Sequence, residues 1–186
     1  MRPTIYKKRY PNLFQTNVWG QAISQFDVDL PPEPLISNVN IVPFLDDEKC
    51  ILIRLDNGNW EMPGETLEPD EHYQSALMRE LMEEAGARLV SPFIVFGAWR
   101  FVSSTARPYR PHLPHPIYYR AVGYGDVELV SAPLIPEDGE MVVAVEAMTL
   151  QEAKQQFMKS GRADLAELYE LAYDLRNRKV NEDPIG

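Results

Sequence analysis

Glu80, Glu83 and Glu84 recur at i, i+3 and i+4, a spacing that sets three carboxylates on one face of a helix. Carboxylates crowded in this way repel one another and weaken a helix unless something neutralises them. A hard divalent cation does so, because Mg²⁺ takes oxygen ligands and keeps several of its waters. Arg79 stands one turn before Glu83, at i, i+4, where it can orient that carboxylate. Glu71 lies in the turn ahead of the helix, within reach of Arg79 or of an ion. Acidic helices are ordinarily solvated faces, but here a helix, an approach turn and the Pro63-Gly64 corner converge on one anionic point.

The elements that must position these groups can be read outward from that helix. Pro69-Asp70 makes the turn that feeds it, and Gly86 closes it. Leu77, Met78, Leu81, Met82 and Ala85 fill the remaining arc and are expected to face a core. Upstream, apolar runs at 39–45 and 50–55 flank Asp46-Asp47-Glu48 and read as a hairpin. Asn57-Gly58 supplies a second tight turn, which leads through Trp60 to the corner. Downstream, 93–99 and 117–123 are strand-like. Between them 103–116 carries four prolines and no periodicity, and so long a loop inside a domain is usually functional or disordered. Its His112 and His115 have no cysteine or acidic neighbour to complete a zinc site. The acidic turn Glu137-Asp138-Gly139-Glu140 precedes a strand at 141–145. Thr149 is placed to cap a helix over 150–158, and 162–178 reads as an amphipathic helix. Strands interleaved with one internal and one or two terminal helices define an α/β domain of α/β/α layers.

The stretch from residue 65 to residue 87 resembles the box of the Nudix hydrolases. That box runs Gly, five residues, Glu, seven residues, then Arg-Glu-apolar-any-Glu-Glu-any-Gly-apolar. This chain reads Glu65, five residues, Glu71, seven residues, then Arg79-Glu80-Leu81-Met82-Glu83-Glu84-Ala85-Gly86-Ala87. Glu65 replaces the first glycine, with Gly64 immediately before it, and Ala87 replaces a bulkier apolar residue. The first change bears on the loop backbone, since glycine reaches positive φ without strain and glutamate does not. The resemblance implies an α/β/α sandwich with a central mixed sheet. It also implies metal-dependent cleavage of a nucleoside diphosphate linked to another group, with ADP-ribose or a nucleotide sugar the first expectation and a nucleoside triphosphate the second. Glu80, Glu83 and Glu84, with the Gly64 carbonyl, would hold Mg²⁺ or Mn²⁺. Arg79 and Glu71 would fix carboxylate orientation, and the general base would be a box glutamate or Glu140, with Glu137 in reserve. Trp60, Trp99, Phe101, Tyr109 and Tyr118 are candidates to stack on a base, although strand aromatics are more often core. Arg107 and Arg110 are candidates to meet phosphate. A non-catalytic nucleotide-binding sensor of the same fold is the alternative.

At 186 residues the chain fits one domain with a modest extension. Residues 1–38 are expected as that extension and 39–186 as the Nudix-like domain with its C-terminal helices. Phe26, Val28 and Leu30 alternate with Asp27 and Asp29, as in a half-buried strand, before Pro31, Pro32 and Pro34 break the pattern. Some relatives in the family use such an arm to pair two subunits, so a homodimer is one expectation and an edge strand on its own domain the other. The formal net charge of −10 opposes broad electrostatic binding to nucleic acid or to an anionic membrane, while leaving small phosphorylated ligands open. Cys50 is the single cysteine, so no intramolecular disulfide forms, as suits a reducing cytoplasm. Neither a signal-peptide pattern nor an apolar run of membrane-spanning length is evident.

Overall fold

The computed structural model describes residues 2–133 and 142–182. In chain order it contains α1 (Arg2–Arg9), β1 (Asn17–Trp19), β2 (Ala22–Asp27), a 3-10 turn at Glu33–Leu35, β3 (Ile36–Phe44), β4 (Lys49–Leu55) and β5 (Trp60–Glu61). There follow α2 (Tyr73–Ala85), β6 (Ala87–Leu89), β7 (Ile94–Ser103), β8 (Ile117–Leu129), β9 (Val142–Thr149), α3 (Leu150–Lys159) and α4 (Ala163–Glu182).

Alternation along the central strands builds two cores. β3 sends Val39 and Ile41 to one side and Val42 and Phe44 to the other; β4 does the same with Ile51 and Ile53 against Cys50 and Leu52. On the first side lie Ala76, Leu77, Leu81 and Ala85 of α2. On the second lie Ala153 and Phe157 of α3 with Leu165, Leu168, Tyr169 and Ala172 of α4. The result is the layered α/β/α sandwich expected from the sequence. The sheet is mixed, for β3 pairs β8 in parallel while its other pairings are antiparallel. Its path runs β1-β2-β7-β8-β3-β4-β5, with β6 on β8 and β9 on β4.

The expected hairpin of residues 39–45 and 50–55 is only half right. β3 and β4 pair at Phe44 and Cys50 alone and then part. Residues 63–67 fill the gap beside β3: Val39 N–H donates to Glu65 O, Ile41 N–H to Pro63 O, and Leu67 N–H to Ser37 O. The approach loop is therefore stitched into the sheet. Gly64 makes this possible, with φ at +128° and no room for a side chain; a Cβ there would lie 2.2 Å from the Val39 carbonyl oxygen. The positive φ thus falls on Gly64. Among the described residues the non-glycine with positive φ is Asp70, at 61°, so Glu65 carries none of the strain its position implied.

Helix α2 begins where His72 Nδ1 accepts from the Gln74 N–H at 3.3 Å. His72 Nε2, left as the protonated nitrogen, donates to Glu33 at 2.8 Å. Gly86 ends the helix in the left-handed region, at φ 59°, its N–H returning to the Leu81 and Met82 carbonyls. Met78, expected in the core, is 56% exposed: the glutamates Glu80 and Glu84 take buried positions instead, turning that methionine out.

The N-terminal segment begins as a helix and continues as the β1–β2 hairpin, whose β2 pairs with β7 over its whole length. The strand read around Phe26 ends at Asp27, whose carboxylate accepts from the Val28 N–H, and Leu30 is exposed. Tyr10, Leu13, Phe14 and Phe26 are buried in the same core as α3 and α4. Tyr10 donates to Asp174, and Glu167 accepts from the Leu13 N–H and the Asn12 amide. Thr149 and Glu152 form a reciprocal capping box at the start of α3.

Candidate active site

Arg79 is the hub of the α2 carboxylates. Its Nε and Nη2 each donate to Glu71, both at 3.0 Å, and Nη1 donates to Glu83 at 3.2 Å and also to Glu80. The bidentate pair ties the approach turn to the helix, as planar guanidinium geometry allows. Glu84 faces the corner, where the Gly64 N–H donates to it at 2.8 Å. Asn40 completes the frame: its amide donates to the carbonyls of Pro63 and Gly64, and its oxygen accepts from Arg120 Nε at 2.6 Å.

The anionic point expected from the sequence is therefore two adjoining points. Among the described residues no three His, Cys, Asp or Glu side chains are gathered closely enough to hold an ion. Glu80 and Glu83 turn to Arg79, and Glu84 to the Gly64 amide. Glu80 and Glu84 are nonetheless buried. Burial pushes the Glu80 carboxyl up to about 7; Arg79 opposes this, while Glu83 and Glu65 add to it. Arg79 alone does not compensate that carboxylate's lost hydration, which a proton or a bound divalent cation would. The donor set of carboxylates and one carbonyl is of the hard-oxygen kind such a cation takes. Glu71 is held below the usual carboxylate range, first by its hydrogen bond to Arg79, and the guanidinium is held all the more firmly in its charged form.

In front of Glu84 lies a cavity of about 390 Å³, walled by Gly64, Glu65, Trp99, Arg120, Arg162 and Asp164 among others. Arg162 is fixed there by Glu61 at 2.7 Å and by a two-bond contact with Asp164 at 3.0 Å. A second cavity, of about 550 Å³, adjoins it and shares Trp19, Phe101 and Arg120 with it.

The aromatic and basic candidates divide between these places. Trp99 meets the edge of Phe26 and lines the first cavity. Phe101 and Tyr118 stack in parallel, ring centres 5.0 Å apart, and line the second with Arg107 and Tyr109. Trp60 lines neither; it is a core residue under Arg54, since its strand turns it to the α3–α4 side. Arg110 also lines neither and sits over the ring of Tyr109. Glu137 and Glu140 lie outside the described residues.

Trp19, Arg120 and Arg162 escaped the sequence reading. The signal for Trp19 was there, as Gly20-Gln21 between two short apolar runs is a hairpin turn, and Gly20 does take φ of 57°. An arginine within the apolar run of β8 was a signal for Arg120. Arg162 has one partner close by in Asp164, but its contact with Glu61 spans a long stretch of sequence.

Residues 34–170 match the family model described as "NUDIX domain". The chain belongs to the Nudix hydrolase family. A 59-residue stretch is 39% identical to a MutT-like protein of Streptomyces ambofaciens, covering 32% of this chain and 38% of that protein. Among solved structures, the fold is similar to the pyrophosphohydrolase BsRppH of Bacillus subtilis, with a TM-score of 0.56, 17% identity, and 84% of this chain and 96% of that one covered. It is also similar to a Nudix hydrolase from Nitrosomonas europaea, with a TM-score of 0.52, 20% identity and coverage of 75% and 89%.

Proposed function

We infer that this chain cleaves the diphosphate bond of a nucleoside diphosphate linked to a second group, with ADP-ribose or another nucleotide sugar as its substrate class and nucleoside triphosphates next. The observation that carries this is the position of Glu84, buried on the box helix at the wall of a cavity that also presents Arg120 and Arg162. Acid and base groups thereby face one space large enough for a diphosphate.

Glu80, Glu83 and Glu84, with the Gly64 carbonyl, would hold Mg²⁺ or Mn²⁺. When bound, such an ion neutralises phosphate charge and acidifies water to make a nucleophile. Arg79 and Glu71 hold the box carboxylates in register, and a rigid bidentate pair does this better than a single contact. Arg120, braced by Asn40, and Arg162, braced by Asp164 and Glu61, offer cationic groups to the phosphate oxygens. Proton removal from the attacking water falls to Glu83 or Glu84, or to Glu140. A cytoplasmic, small-molecule role suits the acidic chain, in which the single cysteine is buried; a homodimer and the lack of a nucleic-acid partner belong to the same proposal. No helix among the described residues is long and apolar enough to cross a membrane.

The test is a screen of nucleoside diphosphate compounds with Mg²⁺ or Mn²⁺, reading phosphate after a coupled phosphatase. Turnover of a nucleotide sugar that stops with chelator is the expected result. Binding without product release would mark a nucleotide sensor instead.

A further inference from the structure

The second cavity differs in chemistry from the first. Glu61, Glu65, Glu84 and Asp164 line the first. Among the described residues no carboxylate lines the second, although the chain carries 28 acidic residues against 18 basic ones. Its charged groups are Arg107 and Arg120, and its apolar wall includes the Phe101–Tyr118 stack. Trp19 stands on the seam between the two cavities. The residue is 52% exposed, yet it is held in place, for the indole N–H donates to the buried Ser24 hydroxyl at 2.9 Å. A large aromatic group with its polar atom satisfied inward and its surface left open is a platform for stacking.

We propose that the second cavity takes the planar base of the nucleotide and that Trp19, from the N-terminal hairpin, is the stacking residue that sets preference for a base-bearing substrate. The cavity volume suits a nucleoside. Arg120, common to both walls, stands where the diphosphate would pass from the base side to the acidic side. Trp19 precedes residue 34, where the family match begins, so this preference is written in a segment outside the matched region. The inference rests on the diphosphate-hydrolase reading above, and its test is separable from that reading.

Two measurements test it. In chelator, where no turnover occurs, AMP is titrated while tryptophan fluorescence is read. Trp60 is a core residue and Trp99 lines the first cavity alone, so Trp19 is the indole on the wall of the second. Saturable quenching by AMP, no quenching by ribose 5-phosphate, and loss of the AMP signal in Trp19→Phe are expected. Quenching that persists in Trp19→Phe, or none in the parent protein, overturns the proposal whether or not the chain hydrolyses anything. In the second measurement Trp19→Ala is compared with the parent on ADP-ribose and on dimethyl diphosphate, which lacks a base. Stacking of one base predicts that KM for ADP-ribose rises roughly ten- to hundredfold, with kcat little changed and dimethyl diphosphate unaffected. Equal losses on both substrates would mean that Trp19 acts only on the hairpin's structure, and the proposal fails. Quenching without any hydrolysis would leave the base site standing and sink the hydrolase reading alone.

Discussion

At the scale of single residues, the site is a problem of uncompensated charge. Glu83 accepts from Arg79 and Glu84 from the Gly64 N–H, and glutamine in place of either removes a charge with almost no change in volume. Glu83→Gln or Glu84→Gln should lower turnover by about 10²–10⁴, the range for a positioned catalytic group, while far-UV circular dichroism stays unchanged. Normal activity in either purified variant would end their assignment. Glu80 gives a pH prediction. Its carboxyl titrates at 4.5 when free and at about 7 in the folded chain. Between those values the folded state holds the extra proton, so this contribution to stability is full below the free value and is lost as pH rises through about 7. Urea midpoints in chelator should therefore fall more steeply from pH 5 to 8 in the parent than in Glu80→Gln. Saturating Mg²⁺ should reduce the difference, because binding stabilises the ionised carboxylates. Parallel pH profiles for the two proteins in chelator would contradict this account.

At the scale of elements, the glycines separate by what surrounds them. A Cβ at Gly64 would meet the Val39 carbonyl oxygen at 2.2 Å and Asn40 Cα at 2.6 Å, on a backbone with φ of +128°. At Gly161, φ is +72° but nothing lies within 4 Å. Gly161→Ala should cost about 1 kcal/mol, the strain of a left-handed residue, whereas Gly64→Ala should cost about 3 kcal/mol or more, as strain and collision add. Urea midpoints check both, and equal losses would show that the corner gives way. Legibility from sequence followed the same division. The helix from the acidic turn to Gly86, the cap at Thr149 and the Asn57-Gly58 turn were readable because their causes are local. Arg79 with Glu83 was readable because the helix period fixes their separation, and Glu71 because it lies in the turn just ahead of the same helix. The parting of β3 from β4, the core position of Trp60 and the Arg162–Glu61 contact depend on partners distant in the chain. β6 was too short to show a period.

At the scale of the whole molecule, residues ahead of the family match belong physically to the domain. Tyr10, Leu13 and Phe26 are almost fully buried, and each large apolar group removed from a core costs about 2–5 kcal/mol, against a total stability of about 5–15 kcal/mol. A chain beginning at residue 34 should fail to give a cooperative unfolding transition by calorimetry. A sharp transition near that of the parent would show the segment to be dispensable. The wedge of residues 63–67 has a different consequence. Many enzymes keep their reactive loops soft, so that activity fades in denaturant well before the fold does. Here the two halves of the sheet touch at Cys50 and Phe44, with the loop beside them bonded to β3 in place of a strand. Cys50 is shielded, its thiol pushed up to about 12 by burial, so a thiol reagent reaches it only when that junction opens. Labelling of Cys50 and loss of hydrolysis should rise along one curve in urea. The enzyme would then have no crippled intermediate, only working copies and unravelled ones.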